Sequence, residues 1–171
     1  MKKILTVKPW SIFLSIIFIS ILSETAIGYV LLIIWAMLFT FWTLKVGESL
    51  HRRLNDKSIL NLKRFKLQIL FVVVYIIIVF SFSKNGYHIT NENIDEFGWK
   101  VWVIIPMHLL LMYSIIHTIY FLSKCITTLR NKKEGFGWYM LGFWMFPIGI
   151  WIIQPRIIEL LNEENINNEL L

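Results

Sequence analysis

The chain has 171 residues, of which 57% are apolar and 16% are charged, and its formal net charge is +6. Soluble domains are about 45 to 50% apolar, so this composition is typical of an integral membrane protein. It leaves too little polar sequence for a separate catalytic or ligand-binding domain of the usual ~100 residues. We therefore predict an all-α fold, with residues 1–171 as one membrane domain.

The first apolar run, from Pro9 to Lys45, is too long for one membrane span of about 20 residues. A polar turn of sequence Ser-Glu-Thr interrupts it at Glu24. Two helical spans, over about 4–22 and 26–44, therefore fit better than one.

A secretory signal peptide is the alternative for the first span, because Lys2 and Lys3 precede a short apolar core. No small-x-small cleavage site stands before Ala26, so we favour the helical hairpin.

Two further spans are predicted over about 67–82 and 101–122, which gives a transmembrane bundle of four full spans. Basic residues cluster before the first span, between the second and third, and after the fourth, whereas 83–100 has balanced charges. Positive residues stay on the cytoplasmic side. We predict a multi-pass protein of a bacterial inner membrane with a cytoplasmic N-terminus.

A fifth apolar segment, 136–153, contains glycines and Pro147 and is followed by a polar tail, 157–171. Pro147 removes a helix hydrogen bond, so we predict a helix break there and a second one at Pro106 in the fourth span. The course of the segment stays open: it crosses the membrane completely, or it enters partway and returns or lies in the membrane interface.

Gly135, Gly142 and Gly149 recur every seven residues, which would place them on one stripe of a helix. Small residues on such a stripe let another helix approach closely. Contact within the same chain and contact between subunits of a homo-oligomer are both compatible with this pattern.

Tyr113, His117 and Tyr120 share one face of the fourth span and form a predicted polar patch. The patch can bind a ligand or satisfy its own hydrogen bonds. His108 lies on nearly the opposite face from His117, so the two cannot ligate one metal ion.

The loop from Lys45 to Lys66 alternates leucines and other apolar residues with basic ones. Its predicted docking residues are Arg52, Arg53, Lys57, Lys63, Arg64 and Lys66. Such a segment is typical of an amphipathic stretch lying on anionic lipid headgroups. An acidic cytoplasmic protein is the sharper hypothesis for its partner, and nucleic acid is less favoured.

No predicted span carries Asp, Glu, Lys or Arg near its middle, and no metalloprotease, phosphate-loop or nucleophile-elbow motif occurs. We therefore expect no catalytic residues, no metal site and no cofactor. The single cysteine, Cys125, is expected to be an apolar filler.

Two stretches, "FWTLKVGESLHRRL" and "FPIGIWIIQPRI", resemble segments of small multi-spanning membrane proteins of Bacteroidota, which close on a similar Gln-Pro-Arg sequence. In this chain Ile158 replaces the closing Asn of that pattern. In layout the chain is also similar to membrane accessory proteins of type VI-B CRISPR loci. The resemblance implies no activity.

These features favour a non-enzymatic membrane protein that acts through assembly or partner docking, for instance as a defence accessory or an oligomeric pore. A small-molecule transporter with its site near the broken segment is the alternative.

Overall fold

The computed structural model describes residues 8–22, 25–83, 99–130 and 135–169. Within these ranges the chain is all-helical, as predicted, and no strand occurs. The six α-helices are α1 Pro9–Leu22, α2 Ala26–Arg52, α3 Leu62–Ser83, α4 Trp99–Leu129, α5 Phe136–Trp144 and α6 Phe146–Glu169. A short 3₁₀ helix, Lys57–Ile59, lies between α2 and α3.

Two of the described helices are long and apolar enough to cross a membrane, over Val30–Arg52 in α2 and Trp102–Leu129 in α4. A shorter apolar stretch, Pro9–Phe18, lies in α1. By length and composition the structure thus indicates membrane association for two helices, fewer than the four full spans predicted.

The predicted basic loop is largely helical. Helix α2 begins after Thr25, whose hydroxyl accepts a hydrogen bond from the Gly28 N–H at 2.9 Å, and continues to Arg52. Helix α3 begins at Leu62, where the Asn61 side chain accepts from the Arg64 N–H at 3.0 Å. Side chains at these two N-termini satisfy backbone donors that the helices leave free. The connection between α2 and α3 is therefore short.

The break in the fifth apolar segment lies at Met145, where φ is −88° and ψ is 43°. The N–H groups of Ile148 and Gly149 both donate to the Met145 carbonyl and start α6. Pro147 lies in the first turn of α6. The N–H groups of a first turn have no partner within the helix, so the missing N–H of proline costs no helical hydrogen bond there. The break thus precedes Pro147 by two residues.

Helices α5 and α6 form a hairpin that brings the chain back to the end of the bundle where α2 and α4 finish. Arg130, just after α4, pairs with Glu159 of α6 at 2.7 Å. The guanidinium of Arg53, just after α2, donates to the carbonyl oxygens of Leu160 and Leu161. We call this end, formed by Arg53, Arg130 and the residues around them, the basic end.

The hydrophobic core lies mainly towards the basic end and joins α2, α3, α4, α5 and α6. Its buried members are Trp42, Val46, Leu50, Leu54, Leu60, Phe65, Ile69, Ile119, Phe121, Leu122, Cys125, Ile126, Tyr139, Phe143, Ile150, Ile153, Ile157, Leu160 and Leu161. At the opposite ends of the helices most apolar side chains are exposed, including Ile21, Ile27 and Trp102. The chain therefore has a densely packed end and a loosely packed end.

The predicted polar tail is helical as far as Glu169, because α6 continues through it. Residues 1–7, 23–24, 84–98, 131–134 and 170–171 lie outside the described residues. Those ranges include Lys2 and Lys3, Glu24 of the predicted turn, and most of the charge-balanced segment 83–100.

Candidate functional site: the basic end and the adjoining cavity

The apolar residues of the predicted amphipathic loop point into the protein. Leu50, Leu54, Leu60 and Phe65 are buried, whereas Ile59 is exposed. This arrangement differs from a segment that inserts its leucines into a lipid leaflet, because these side chains already belong to the buried core of the protein. The segment that connects α2 to α3 therefore forms a folded cap at the basic end.

Hydrogen bonding and ring stacking fix this cap. A ring nitrogen of buried His51, Nε2, lies 2.9 Å from the Leu60 carbonyl oxygen. The Phe65 ring stacks on Phe121 with centroids 4.2 Å apart, and a Cβ at Gly47 would overlap the Phe65 ring. Close passage of the Phe65 ring therefore requires glycine at position 47.

The six predicted docking residues separate into two groups. Arg53, Arg64 and Lys66 contact other parts of the chain: the carbonyls at the end of α6, the Tyr113 hydroxyl, and Glu48 at 2.6 Å. Arg52, Lys57 and Lys63 are exposed, and no carboxylate of the described residues lies within ion-pair distance of them. These three cations, the exposed basic triad, are available to a partner.

The predicted glycine stripe does not form on one helix. Gly135 precedes α5, and a Cβ there would meet nothing within 4 Å. Gly142 lies in α5 and Gly149 in α6, and a Cβ at Gly149 would overlap the backbone of Gly142. The two glycines thus pack the α5–α6 hairpin against itself, which corresponds to contact within the chain.

Helix α4 runs without interruption through Pro106, so the helix break predicted there is absent. Proline has no N–H, so one carbonyl oxygen of the preceding turn loses its helical hydrogen bond. A helix tolerates this loss when neighbouring groups bond that carbonyl instead.

The predicted polar patch lies on an outward face of α4, where Tyr113 and Tyr120 are exposed and His117 is partly buried. The rings of Tyr113 and His117 are 6.1 Å apart, and Arg64 donates to the Tyr113 hydroxyl. Tyr120 instead packs edge-on against Phe136, with centroids 5.5 Å apart. The patch thus links α3, α4 and α5.

A cavity of about 490 Å³ adjoins the break between α5 and α6. It lies between α2, α3 and α4 and is lined by Trp35, Ala36, Phe39, Thr40, Trp42, Thr43, Ile69, Val72, Ile76, Met112, Ile115, Thr118, Ile119, Leu122, Phe143, Trp144 and Phe146. Its walls are mostly aromatic and aliphatic, and among the described residues no charged side chain lines it.

Two of the lining residues carry buried polar atoms without a protein partner, Trp42 at Nε1 and Thr118 at Oγ1. The hydroxyls of Thr40 and Thr43 differ, because they donate to the carbonyls of Ala36 and Phe39 on their own helix. Buried polar groups are rarely left unpaired. The sequence carries no signal for this cavity, because its lining comes from five helices far apart in the chain.

Ion pairs that sequence reasoning missed hold the ends of the helices. Glu48 pairs with Lys45 and Lys66, and Glu159 pairs with Arg130 and Arg156. The hydrogen bond from Arg130 is the main cause that holds the pKa of the Glu159 carboxyl below its usual range. Among the charged residues only the spacing of Lys45 and Glu48, and of Arg156 and Glu159, could have indicated a pair.

In the described parts of the chain no group of three His, Cys, Asp or Glu side chains is placed to hold a metal ion. Cys125 is buried in the core and unpaired.

Comparison of the chain with protein-family models, with curated proteins and with solved structures finds no match.

Proposed function

We propose that this chain is a non-enzymatic, multi-pass protein of a bacterial inner membrane whose basic end docks an acidic cytoplasmic protein. The observation that carries this proposal is the exposed basic triad, Arg52, Lys57 and Lys63, beside a cap whose leucines are buried.

The exposed apolar helix faces support a membrane location. Leu109 of α4 is 66% exposed and Leu38 of α2 is 63% exposed, and both lie within the two candidate spans. Monomeric proteins in water rarely expose contiguous apolar surface on this scale. In a lipid bilayer such exposure has no hydrophobic cost, because the hydrocarbon chains around the helices are as apolar as the side chains. We therefore propose that α1, α2, α3 and α4 are four spans. The α5–α6 hairpin is then a fifth segment that enters the membrane and returns.

The folded state of the basic end favours a protein partner over the leaflet. A leaflet-binding segment gains affinity from inserted apolar side chains as well as from charge. Here Leu50, Leu54 and Leu60 are buried in the protein, so the charges and the side chain of Ile59 remain for binding. Cations that a folded segment presents suit a folded partner with complementary carboxylates, because electrostatic complementarity gives specificity and fast association.

The test is site-specific photo-crosslinking in cells, with a benzophenone amino acid at Asn55, an exposed position of the cap. We expect one discrete crosslinked protein with an acidic surface. Reversal of the triad, R52E with K57E and K63E, should abolish the crosslink. A charge-conserving variant, R52K with K57R and K63R, should retain it.

Crosslinks to lipid alone, or a crosslinked protein that survives charge reversal, would contradict partner docking. Membrane fractionation of each variant separates this outcome from misfolding, because a correctly inserted protein stays in the membrane pellet after alkaline extraction.

Self-assembly is a second way in which the chain could act. Gly142 and Gly149 already contact each other within the α5–α6 hairpin. Contact between copies would therefore use other faces, such as the exposed α4 surface around Leu109. An oligomeric pore would also need a polar lining, and the exposed faces of α4 are mainly apolar. Cysteine at Leu109 should crosslink two copies in the membrane if this face assembles.

Transport is supported by one observation, the cavity beside the break at Met145. Its walls are apolar, so a transported solute would be apolar too. A substitution that fills the cavity, Ala36→Phe, should then stop uptake while crosslinking at Asn55 persists.

A further inference from the structure

The polar patch on α4 continues an exposed apolar stripe of the same helix. Trp102 and Leu109 precede Tyr113 at spacings of seven and four residues, and Tyr120 and Lys124 follow it at the same two spacings. Residues four or seven apart lie on one face of a helix. Trp102 is 80% exposed, and Leu109 is also exposed. The stripe therefore changes from apolar to polar at Tyr113, in the direction of the basic end.

The length and order of this stripe match a phospholipid of one leaflet. From Trp102 to Lys124 the helix rises by about 33 Å, close to the ~30 Å thickness of the hydrocarbon core. If α4 crosses a bilayer as proposed, Lys124 lies at the depth of the cytoplasmic headgroups and Leu109 lies among the acyl chains. This step rests on the proposed membrane location.

Arg64 of α3 adds a positive charge at the point where the stripe becomes polar. Its guanidinium donates to the Tyr113 hydroxyl, and its central carbon lies 5.8 Å from the centre of the Tyr113 ring. Among the described residues no carboxylate lies within ion-pair distance of Arg64 or Lys124. A charge beside hydrocarbon is costly unless a counter-ion accompanies it. An anion from outside the protein would remove that cost.

The groups that would bind such an anion are accessible. Arg64 is exposed, and a guanidinium matches the geometry of a phosphate with two parallel hydrogen bonds. Tyr113 is 40% exposed, and because its oxygen accepts from Arg64, its own O–H can donate to a further acceptor. The Nδ1 atom of His117 is buried, so this atom cannot take part.

We infer that the patch binds one anionic phospholipid of the cytoplasmic leaflet, with its phosphate on Arg64 and Tyr113 and its acyl chains along Leu109. Lys124 and Tyr120 lie further towards the basic end, where the headgroup extends. Lys124 disfavours a headgroup that carries its own cation, such as choline, whereas a glycerol headgroup leaves the charge of the phosphate uncompensated. Basic pockets between transmembrane helices on the cytoplasmic side recognise anionic headgroups by this chemistry.

Native mass spectrometry of the full-length, delipidated protein in detergent tests the inference. The probes are phosphatidylglycerol, phosphatidylcholine and diacylglycerol with identical acyl chains, and inorganic phosphate is the competitor. We expect one phosphatidylglycerol to bind at least roughly 10-fold more tightly than either other lipid, the worth of a charged hydrogen bond. Millimolar inorganic phosphate should not displace it, because free phosphate lacks the acyl chains.

Substitutions in the patch give the specific readout. Arg64→Gln should weaken phosphatidylglycerol binding at least roughly 10-fold, and Tyr113→Phe should weaken it roughly 3-fold. Arg64→Lys should give an intermediate loss, because lysine keeps the charge without the planar fork. The matched control is Lys8→Gln, which removes one exposed positive charge outside the patch and should leave the affinity unchanged.

Equal affinities of native protein and Arg64→Gln, or equal binding of phosphatidylglycerol and diacylglycerol, would overturn the inference. Displacement by inorganic phosphate would overturn a lipid as the source of the anion. Loss of the native protein from the membrane pellet after alkaline extraction would instead contradict the proposed membrane location, so the two failures are distinguishable. A single gel-filtration peak confirms that each variant is folded, and Tyr113→Phe supplies the test if Arg64→Gln is not.

Discussion

Single residues decide how closely the helices of this protein approach at its basic end. Gly47 is the clearest case, because the Phe65 ring occupies the space where a side chain would begin, and that ring is stacked on Phe121. The ring is completely buried, so it has no room to move aside.

Gly47→Ala should therefore destabilise the protein, although alanine favours a helix over glycine by about 1 kcal/mol. Overpacking a core costs about 1 to 3 kcal/mol, so the expected net loss is at most about 2 kcal/mol. Thermal unfolding in detergent measures it.

Gly137→Ala is the matched control, because a Cβ there meets nothing within 4 Å. It should leave the unfolding midpoint unchanged or slightly raised. Equal effects of the two substitutions would show that the Phe65 ring does not limit position 47.

The Glu159 carboxyl gives a prediction about pH. Its pKa is lowered chiefly by the hydrogen bond from Arg130, so the carboxylate stabilises the folded state above its ordinary pKa. That contribution is lost as pH falls from the ordinary pKa of a glutamate through the lowered pKa of Glu159. The unfolding midpoint of the native protein should thus exceed that of Glu159→Gln at pH 7, and the difference should shrink towards pH 3. A difference that is constant with pH would contradict the role of this ion pair.

At the scale of elements, the α5–α6 hairpin is the feature that determines the course of the C-terminal part of the chain. It depends on close contact between Gly142 and Gly149, on a break at Met145, and on anchoring of α6 by Arg53 and Arg130. Each of these contacts involves residues that a single continuous helix would keep apart.

Alanine at the three glycines should destabilise the protein in a definite order. Gly149→Ala should be the most severe, because its Cβ overlaps backbone atoms of Gly142, which cannot rotate away. Gly142→Ala should be milder, since the nearest atom is the flexible end of the Ile153 side chain at 3.1 Å. Gly135→Ala should have little effect. Unfolding midpoints rank the variants, and a severe effect of Gly135→Ala would instead favour the single stripe predicted from the sequence.

At the scale of the whole molecule, the hairpin places residues near Glu159 at the same end as the cap between α2 and α3. If the chain crosses a bilayer as proposed, both regions face the cytoplasm. A complete crossing by residues 136–153 would instead put them on opposite sides.

Cysteine labelling distinguishes these courses. In a Cys125→Ala background, cysteines at Lys57 and Arg156 should both resist a membrane-impermeant maleimide in intact cells and react after permeabilisation. Labelling at position 156 but not at 57 in intact cells would show a complete crossing. Buried Cys125 provides the internal control, because it should stay unlabelled in the folded native protein.

The sequence by itself determined the helical class, the existence of the long apolar helices and the presence of a break near Pro147. Apolar runs, helix caps and proline act locally, so their effects can be read from neighbouring residues. The same local rules also gave a wrong prediction for α4. Pro106 was expected to break α4, but a helix can absorb one proline when its neighbours satisfy the freed group.

Only the tertiary structure decided which surface each apolar face covers. From the sequence, Leu50 and Leu54 fit a lipid-binding segment and a buried one equally well, and in the structure both belong to the buried core. The seven-residue glycine spacing became a contact across a turn, because the break at Met145 folds α6 back on α5. Sequence patterns specify that a face must leave water, whereas the choice between lipid, a partner and the chain's own core depends on residues distant in sequence.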